Sequence, residues 1–181
     1  VYSGDLGRYD VPVMRDPEPV EAADTLLVES TYGDRLHPAD DGTPRIVEAV
    51  GRVVRSGGVL LIPAFAVGRT QDLLYRVREL EEAGRIPRIP VYLDSPMAIA
   101  ATVVYARHPE EHDADVRRVA AEGRRPFVPG RFHLSPTPND SKRLNGLEGP
   151  ATIIAGSGMA TGGRILHHLR HRLPDPRTTV L

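Results

Sequence analysis

Short apolar segments alternate with amphipathic segments along most of the 181-residue chain. The apolar segments have the length of β-strands: they are 25–29, 59–63, 89–94 and 151–155. The amphipathic segments carry apolar residues at helical spacing: they are 43–56, 69–83, 96–107 and 163–173. This alternation is typical of a parallel sheet with helices packed on its faces. The sequence therefore predicts an α/β fold whose sheet is mainly parallel and flanked by helices.

The remaining segments have weaker patterns. Residues 108–131 are first acidic and then basic, which predicts a surface helix and a loop. Residues 135–149 are rich in Pro, Asn, Asp and Gly, which predicts a loop with a short helix at 140–144. The chain begins with a strand-like segment and ends on the β-branched run 178–181, so we expect both ends to be cut within strands.

Composition limits the classes of function. A formal net charge of −1 gives no basic field over the whole molecule, so any contact with nucleic acid requires a local patch. The absence of cysteine excludes disulfides, thiolate zinc ligands and cysteine nucleophiles, and it suits a cytoplasmic protein. No apolar run reaches membrane-spanning length, so a membrane is not an expected partner.

Polar or glycine-rich residues follow each predicted strand at the point where the strand ends. These segments are 29–33, 64–71, 94–97 and 156–163. Ligands of open α/β sheets gather beyond the carboxyl ends of the strands. The four segments together therefore predict a shared cleft.

The glycine-rich segment from Gly156 to Gly163 runs from a strand into a helix. Its backbone N–H groups and the positive end of the helix would suit an anion, and its spacing is similar to a relaxed dinucleotide fingerprint. Glycines in such a turn also serve simply to allow tight packing. Both interpretations stay open, with equal weight.

Two acids stand in suggestive positions. Asp5 lies in a Gly-flanked turn, where it could bind a metal or its own backbone. Glu29 ends an apolar strand and could cap the following turn or orient a partner. From the residues alone, a structural role is favoured for both.

The histidines form no self-sufficient zinc site. The predicted helix 163–173 has an aliphatic face: Ile165, Leu166, Leu169 and Leu173. His167 and His171 project to the opposite side and His168 lies at its edge, so a solvated or cleft-facing surface is favoured over a zinc site. The chain also contains neither a Gly-x-Ser-x-Gly elbow nor a Walker phosphate loop.

Five motifs, taken together and in order, resemble one family. They are Ser-Gly-Asp5-Leu-Gly-Arg, Val-Glu29-Ser-Thr-Tyr-Gly-Asp-Arg, Ile-Pro-Ala-Phe65-Ala-Val-Gly-Arg69-Thr-Gln71, Leu-Asp94-Ser95-Pro-Met-Ala and Gly-Ser157-Gly158-Met159-Ala-Thr-Gly-Gly-Arg. The family is the β-CASP branch of the metallo-β-lactamase fold, whose members are RNA-processing nucleases related to the cleavage and polyadenylation specificity factor endonuclease. The resemblance covers nearly the whole chain and is loosest at 110–140.

The resemblance implies separate roles for two domains. Family members hold two zinc ions in a metallo-β-lactamase core and clamp RNA between that core and the β-CASP domain, where a metal-bound hydroxide attacks the phosphorus. It implies catalytic roles for Asp5, as the carboxylate that bridges the metals, and for Glu29, as support for a histidine. Residues 1–35 would be edge strands of the core and 36–181 the β-CASP domain. The histidine ligands would lie outside this chain, so the chain alone is expected to hold no zinc and to cleave no RNA.

The resemblance also implies contacts with RNA. Ser157, Gly158 and Met159 become candidates to contact phosphates or ribose. Arg69, Gln71 and Ser95 are further candidates, although they could instead cap helices or join the cleft wall. Phe65 could stack on a base or belong to the core, and both uses stay open.

The leading hypothesis is the RNA-clamping part of a zinc-dependent ribonuclease. Its partners would be RNA and the remaining metallo-β-lactamase core of the parent chain, and a homodimer is left open. A non-catalytic β-CASP scaffold subunit is one alternative. A nucleotide-cofactor domain that uses Gly156 to Gly162 is another.

Overall fold

A computed structural model of the protein describes residues 1–36 and 41–181. Within these residues there are five strands: β1 (Val59–Pro63), β2 (Val91–Asp94), β3 (Phe132–Leu134), β4 (Ala151–Ala155) and β5 (Thr179–Val180). The same residues contain six α-helices: α1 (Thr43–Ser56), α2 (Arg69–Glu82), α3 (Pro96–Arg107), α4 (Ala114–Ala121), α5 (Pro138–Arg143) and α6 (Gly163–Arg172). Short 3₁₀ turns lie at 109–111 and 144–146. None of the helices in this part of the chain is long and apolar enough to cross a membrane.

The strands form one sheet in the order β3-β2-β4-β1-β5, and every neighbouring pair is parallel. Strand β4 lies at the centre, where Ile154 is opposite Ile62 of β1 and Leu93 of β2. This arrangement confirms the predicted α/β fold with a mainly parallel sheet.

Both faces of the sheet are covered. Side chains of a strand alternate between the two faces. Leu60, Ile62 and Ile154 therefore pack with apolar residues of α1, α2 and α4. Leu61 and Ile153 point the other way and pack with Ile165 of α6 and with Leu144 of the 3₁₀ turn at 144–146. Burial on both faces explains why β1 and β4 are continuously apolar in sequence.

Local signals in the sequence set several helix ends. The Oγ atom of Ser95 accepts a hydrogen bond from the N–H of Ala98 (3.2 Å), and Pro96 occupies the first turn, so α3 begins where it was predicted. Helix α1 is terminated by the residue that follows it, Gly57, whose φ of 65° lies in the left-handed region. Thr137 and Asp140 form a reciprocal capping box at the start of α5.

The predicted buried strand at 25–29 is wrong. This segment makes one parallel bridge, between Leu27 and Tyr2, and the N–H of Ser3 donates to the carbonyl of Leu27 (2.9 Å). Leu26, Leu27 and Val28 are all exposed, because no helix or strand of the described residues packs on them. The reverse error concerns β3, a three-residue strand that the sequence pattern did not predict.

Candidate functional site

A depression of about 340 Å³ lies where β1, β2 and β4 end. Its walls come from 64–66 after β1, 94–97 after β2, 156–157 after β4 and 163–164 at the start of α6. Three of the four segments expected to share a cleft therefore do so, because parallel strands all end at the same edge of the sheet. The fourth segment, 29–33, does not line this depression.

The glycine-rich turn that follows β4 folds back on itself. The N–H of Ser157 donates to the carbonyl of Gly162 (3.3 Å), and the N–H of Ile165 donates to the carbonyl of Gly156 (2.9 Å). Gly163 has a φ of 71°, and a Cβ atom there would lie 2.4 Å from the carbonyl oxygen of Gly156. The packing role considered for these glycines is therefore real at Gly163.

Phe65 lies against this turn. A Cβ atom on Gly158 would come within 2.7 Å of Cδ2 of the Phe65 ring, so the ring rests directly on the backbone of Gly158. The Phe65 side chain is 53% exposed and is not part of either apolar core. Of the two uses considered for Phe65, membership of the core is excluded.

A fully buried carboxylate, that of Asp94, lies at the base of the depression. It accepts hydrogen bonds from Oγ of Ser141 (2.5 Å), Nη1 of Arg164 (2.7 Å) and Nε2 of His168 (2.6 Å). Burial by itself would raise the pKa of Asp94. The hydrogen bonds from His168, Ser141 and Arg164 outweigh burial, so the pKa lies below its usual value and the carboxylate is charged.

Arg164 extends the network to the strand beside β2. Its guanidinium donates from Nη1 to the carbonyl of Ser135 (2.7 Å) and from Nη2 to the carbonyl of Pro136 (3.1 Å). Asp94 and Arg164 together tie the ends of β2 and β3 to the first turn of α6. They thereby fix the direction in which the glycine-rich turn enters the helix.

His168 corrects the predicted orientation of α6. It was placed at the edge of the helix, on a solvated or cleft-facing surface, but it is buried and bonded to Asp94. Because the carboxylate can only accept, Nε2 of His168 carries the proton, while Nδ1 has no partner among the described residues. Leu166 and Leu173, predicted on the apolar face, are exposed instead.

The other cleft residues predicted from the sequence differ in whether their polar groups are free to contact a ligand. Gln71 is buried, and its Nε2 donates to the carbonyl of Ala66 (3.2 Å) and to Oγ1 of Thr102 (2.9 Å), so it joins the β1 loop to α3. The hydroxyl of Ser95 caps α3. Arg69 is exposed and pairs with Asp72 (3.2 Å).

The two acids of the N-terminal segment lie together, away from the depression. The carboxylate of Glu29 accepts from the N–H groups of Thr31 (2.8 Å) and Leu6 (3.3 Å), which lowers its pKa. Glu29 therefore caps the following turn, as considered. Asp5 is exposed, and its carboxylate forms no hydrogen bond or ion pair with any residue of 1–36 or 41–181. No group of three or more potential metal ligands occurs within the described residues.

Comparison with known proteins decides the family. The profile described as the Beta-Casp domain matches residues 70–181. The chain belongs to the β-CASP family. This match confirms the resemblance seen in the five motifs, and it includes the end of β2, the glycine-rich turn and α6.

The β-CASP chain is also similar to full-length proteins. A ribonuclease of Thermus thermophilus is 42% identical over 182 residues, which is 100% of this chain and 42% of that protein. The transcription termination factor FttA of Pyrococcus horikoshii is 35% identical over 164 residues, which is 87% of this chain and 25% of that protein. The FttA of Methanosarcina mazei is 32% identical over the whole chain and 29% of its own length. The chain thus spans less than half the length of these relatives.

Proposed function

We propose that this chain is the RNA-clamping part of a zinc-dependent ribonuclease of the metallo-β-lactamase fold. The observation that carries the proposal is the depression at the ends of β1, β2 and β4, closed by the glycine-rich turn. The similarity to a ribonuclease over the full length of the chain supports RNA as the ligand and phosphodiester hydrolysis as the reaction of the parent protein.

The glycine-rich turn would hold a phosphate. Ser157 lines the depression, and Gly158 and Met159 follow it directly. The turn leads into α6, whose N-terminal end carries partial positive charge. The one acid of the depression, Asp94, does not oppose a phosphate, because it is buried and paired with Arg164.

Some side chains around the turn would contact the RNA, and others would only hold the site in shape. Arg69 is exposed and close enough to share a second, neighbouring depression with Phe65 and Gly158, where it could contact a further phosphate. Gln71 and Ser95 would act indirectly, by holding the wall against which the RNA lies. Arg164 and Asp94 would likewise position the turn and would not touch the phosphate.

Residues 1–35 would belong to the metallo-β-lactamase core and 36–181 to the β-CASP domain. Asp5 fits a metal ligand, because its exposed carboxylate is not engaged by any described residue. Zinc sites use three or four protein ligands, so Asp5 can contribute to such a site but cannot complete one. Zinc bound there would activate water and offset charge on the scissile phosphate. Glu29 would keep the turn beside Asp5 in place.

The phosphate contact can be tested with a negative charge on the turn. Ser157→Asp should weaken binding of a fluorescent single-stranded RNA by about tenfold or more in an anisotropy titration, because like charges repel in a partly desolvated site. Ser56→Asp is the matched control, since Ser56 ends α1 before β1 begins and lies at the opposite edge of the sheet. Equal affinity of both variants and the unmodified chain would contradict the clamp.

The division of ligands predicts the metal content. The purified chain of 181 residues should hold less than one zinc per molecule and leave RNA intact, because it offers Asp5 without histidine partners. Metal analysis after equilibration with zinc and gel analysis of labelled RNA would measure both. Two zinc ions per chain, or cleavage products, would show that the chain carries a complete centre.

A further inference from the structure

Apolar side chains are exposed around the depression. Phe65, Met97 and Met159 are 53%, 68% and 70% exposed, and Phe65 and Met97 form opposite parts of its lining, after β1 and β2. Single exposed apolar side chains are ordinary on protein surfaces. Two of them, Phe65 and Met97, line one concave site, and Met159 lies two residues beyond the lining residue Ser157. Such grouping marks a surface that a ligand covers.

Phe65 is held in place before any ligand arrives. Its carbonyl accepts from both the N–H (3.2 Å) and the hydroxyl (2.7 Å) of Thr70, which is buried in the first turn of α2. The ring meanwhile rests on Gly158, the neighbour of Ser157. A fixed aromatic ring loses little conformational entropy on binding. Its place beside the glycine-rich turn puts an apolar surface within one residue of the proposed phosphate contact.

The charge of the depression is internally balanced. Its ionisable lining residues are Asp94 and Arg164, and they bond each other (2.7 Å). Ser95 is likewise engaged as the cap of α3. The site therefore offers apolar contact and few free groups that could read the edge of a base.

We infer that the depression takes one unstacked nucleobase of a single strand, which lies against Phe65 and Met97 while the adjoining phosphate meets the glycine-rich turn. This inference rests on the proposed function and specifies its substrate class. A volume of about 340 Å³ lies within the range of small-ligand sites. A duplex keeps its base faces stacked and would leave Phe65 uncovered. Every base has a flat face, so binding should tolerate any sequence.

An abasic strand separates the base from the phosphate. The test compares the full chain binding an RNA oligonucleotide and the same oligonucleotide without bases, which keeps every phosphate. The intact RNA should bind about 5- to 150-fold more tightly, the range expected for stacking on one aromatic ring. Phe65→Ala should remove that difference by weakening the intact strand while leaving the abasic strand unchanged.

Two further variants control for indirect effects. Phe65→Leu keeps apolar bulk without a flat ring and should lose part of the difference, and thermal unfolding checks that both Phe65 variants fold. Leu173→Ala removes another exposed apolar side chain, just beyond the far end of α6, and should change neither affinity.

The outcomes distinguish this inference from the function on which it rests. Equal binding of the intact and abasic strands would overturn the base site and leave the phosphate clamp standing. An equal loss on both strands in Phe65→Ala would also overturn it, because Phe65 would then only support the turn. Failure of both strands to bind would overturn the clamp as well.

Discussion

Asp94→Ala should lower the free energy of unfolding by about 3–5 kcal/mol, the usual cost of removing one partner from a buried ion pair. The substitution leaves the Nε2 proton of the buried His168 without its acceptor, and it removes the carboxylate partner of Arg164, which keeps its bonds to the carbonyls of Ser135 and Pro136. It also removes the acceptor of the Ser141 hydroxyl. Urea denaturation of the purified chain would measure the change.

A surface carboxylate provides the matched control. Glu48 forms an exposed ion pair with Arg52 on α1, so Glu48→Ala should change the stability by less than about 1 kcal/mol. A similar decrease in the free energy of unfolding in both variants would mean that the buried Asp94 network stabilises the chain no more than an exposed ion pair does.

The pH dependence of the same network has a definite sign. The native pKa of Asp94 is lowered, so its stabilisation is complete above the unfolded-state pKa of about 3.9 and is lost as the pH falls through the lower native value. Asp94→Asn keeps the shape without the charge. The advantage of the unmodified chain over this variant should therefore shrink below about pH 4. An advantage that grew on acidification would contradict the assigned charge.

Gly163→Ala should cost about 2–5 kcal/mol of stability and also weaken RNA binding by at least about tenfold. A left-handed φ costs a non-glycine residue about 1–2 kcal/mol, and overpacking adds about 1–3 kcal/mol. At Gly163 both apply, because the φ is 71° and the new Cβ atom would lie 2.4 Å from the carbonyl oxygen of Gly156. The glycine-rich turn must shift to relieve the clash.

Gly84→Ala separates the two costs. Gly84 has a similar φ of 66°, but a Cβ atom there meets no atom within 4 Å. The control should therefore lose only about 1–2 kcal/mol and should bind RNA normally. Chemical denaturation and anisotropy titration of both variants measure the difference. Equal losses in stability, or normal RNA binding by Gly163→Ala, would show that the contact with Gly156 is unimportant.

The sequence predicts the central elements well. Strands β1 and β4 have the predicted bounds because both are buried on two faces and read as apolar runs. The end of β4 is followed by glycines that mark the turn. The common edge of a parallel sheet then brings three of the polar segments together.

What the sequence could not supply is pairing over long distances. His168 was assigned to a polar surface because its own helix shows no reason to bury it, and its partner Asp94 lies 74 positions earlier. The signal available was an acid that closes an apolar strand, since such an acid needs a partner. The error at 25–29 is the opposite one. The apolar residues of this segment predict burial, but they are exposed because none of the described elements covers them.

The most direct test of the RNA clamp is to map the binding surface by NMR. A ¹⁵N-labelled chain titrated with a short single-stranded RNA should show its largest amide shifts at Ser157, Gly158 and Met159. Smaller shifts are expected at 64–66, Ser95 and Met97, which line the depression. Shifts confined to another surface, such as α1, or no shifts at saturating RNA, would contradict the assignment of this depression as the RNA-binding site.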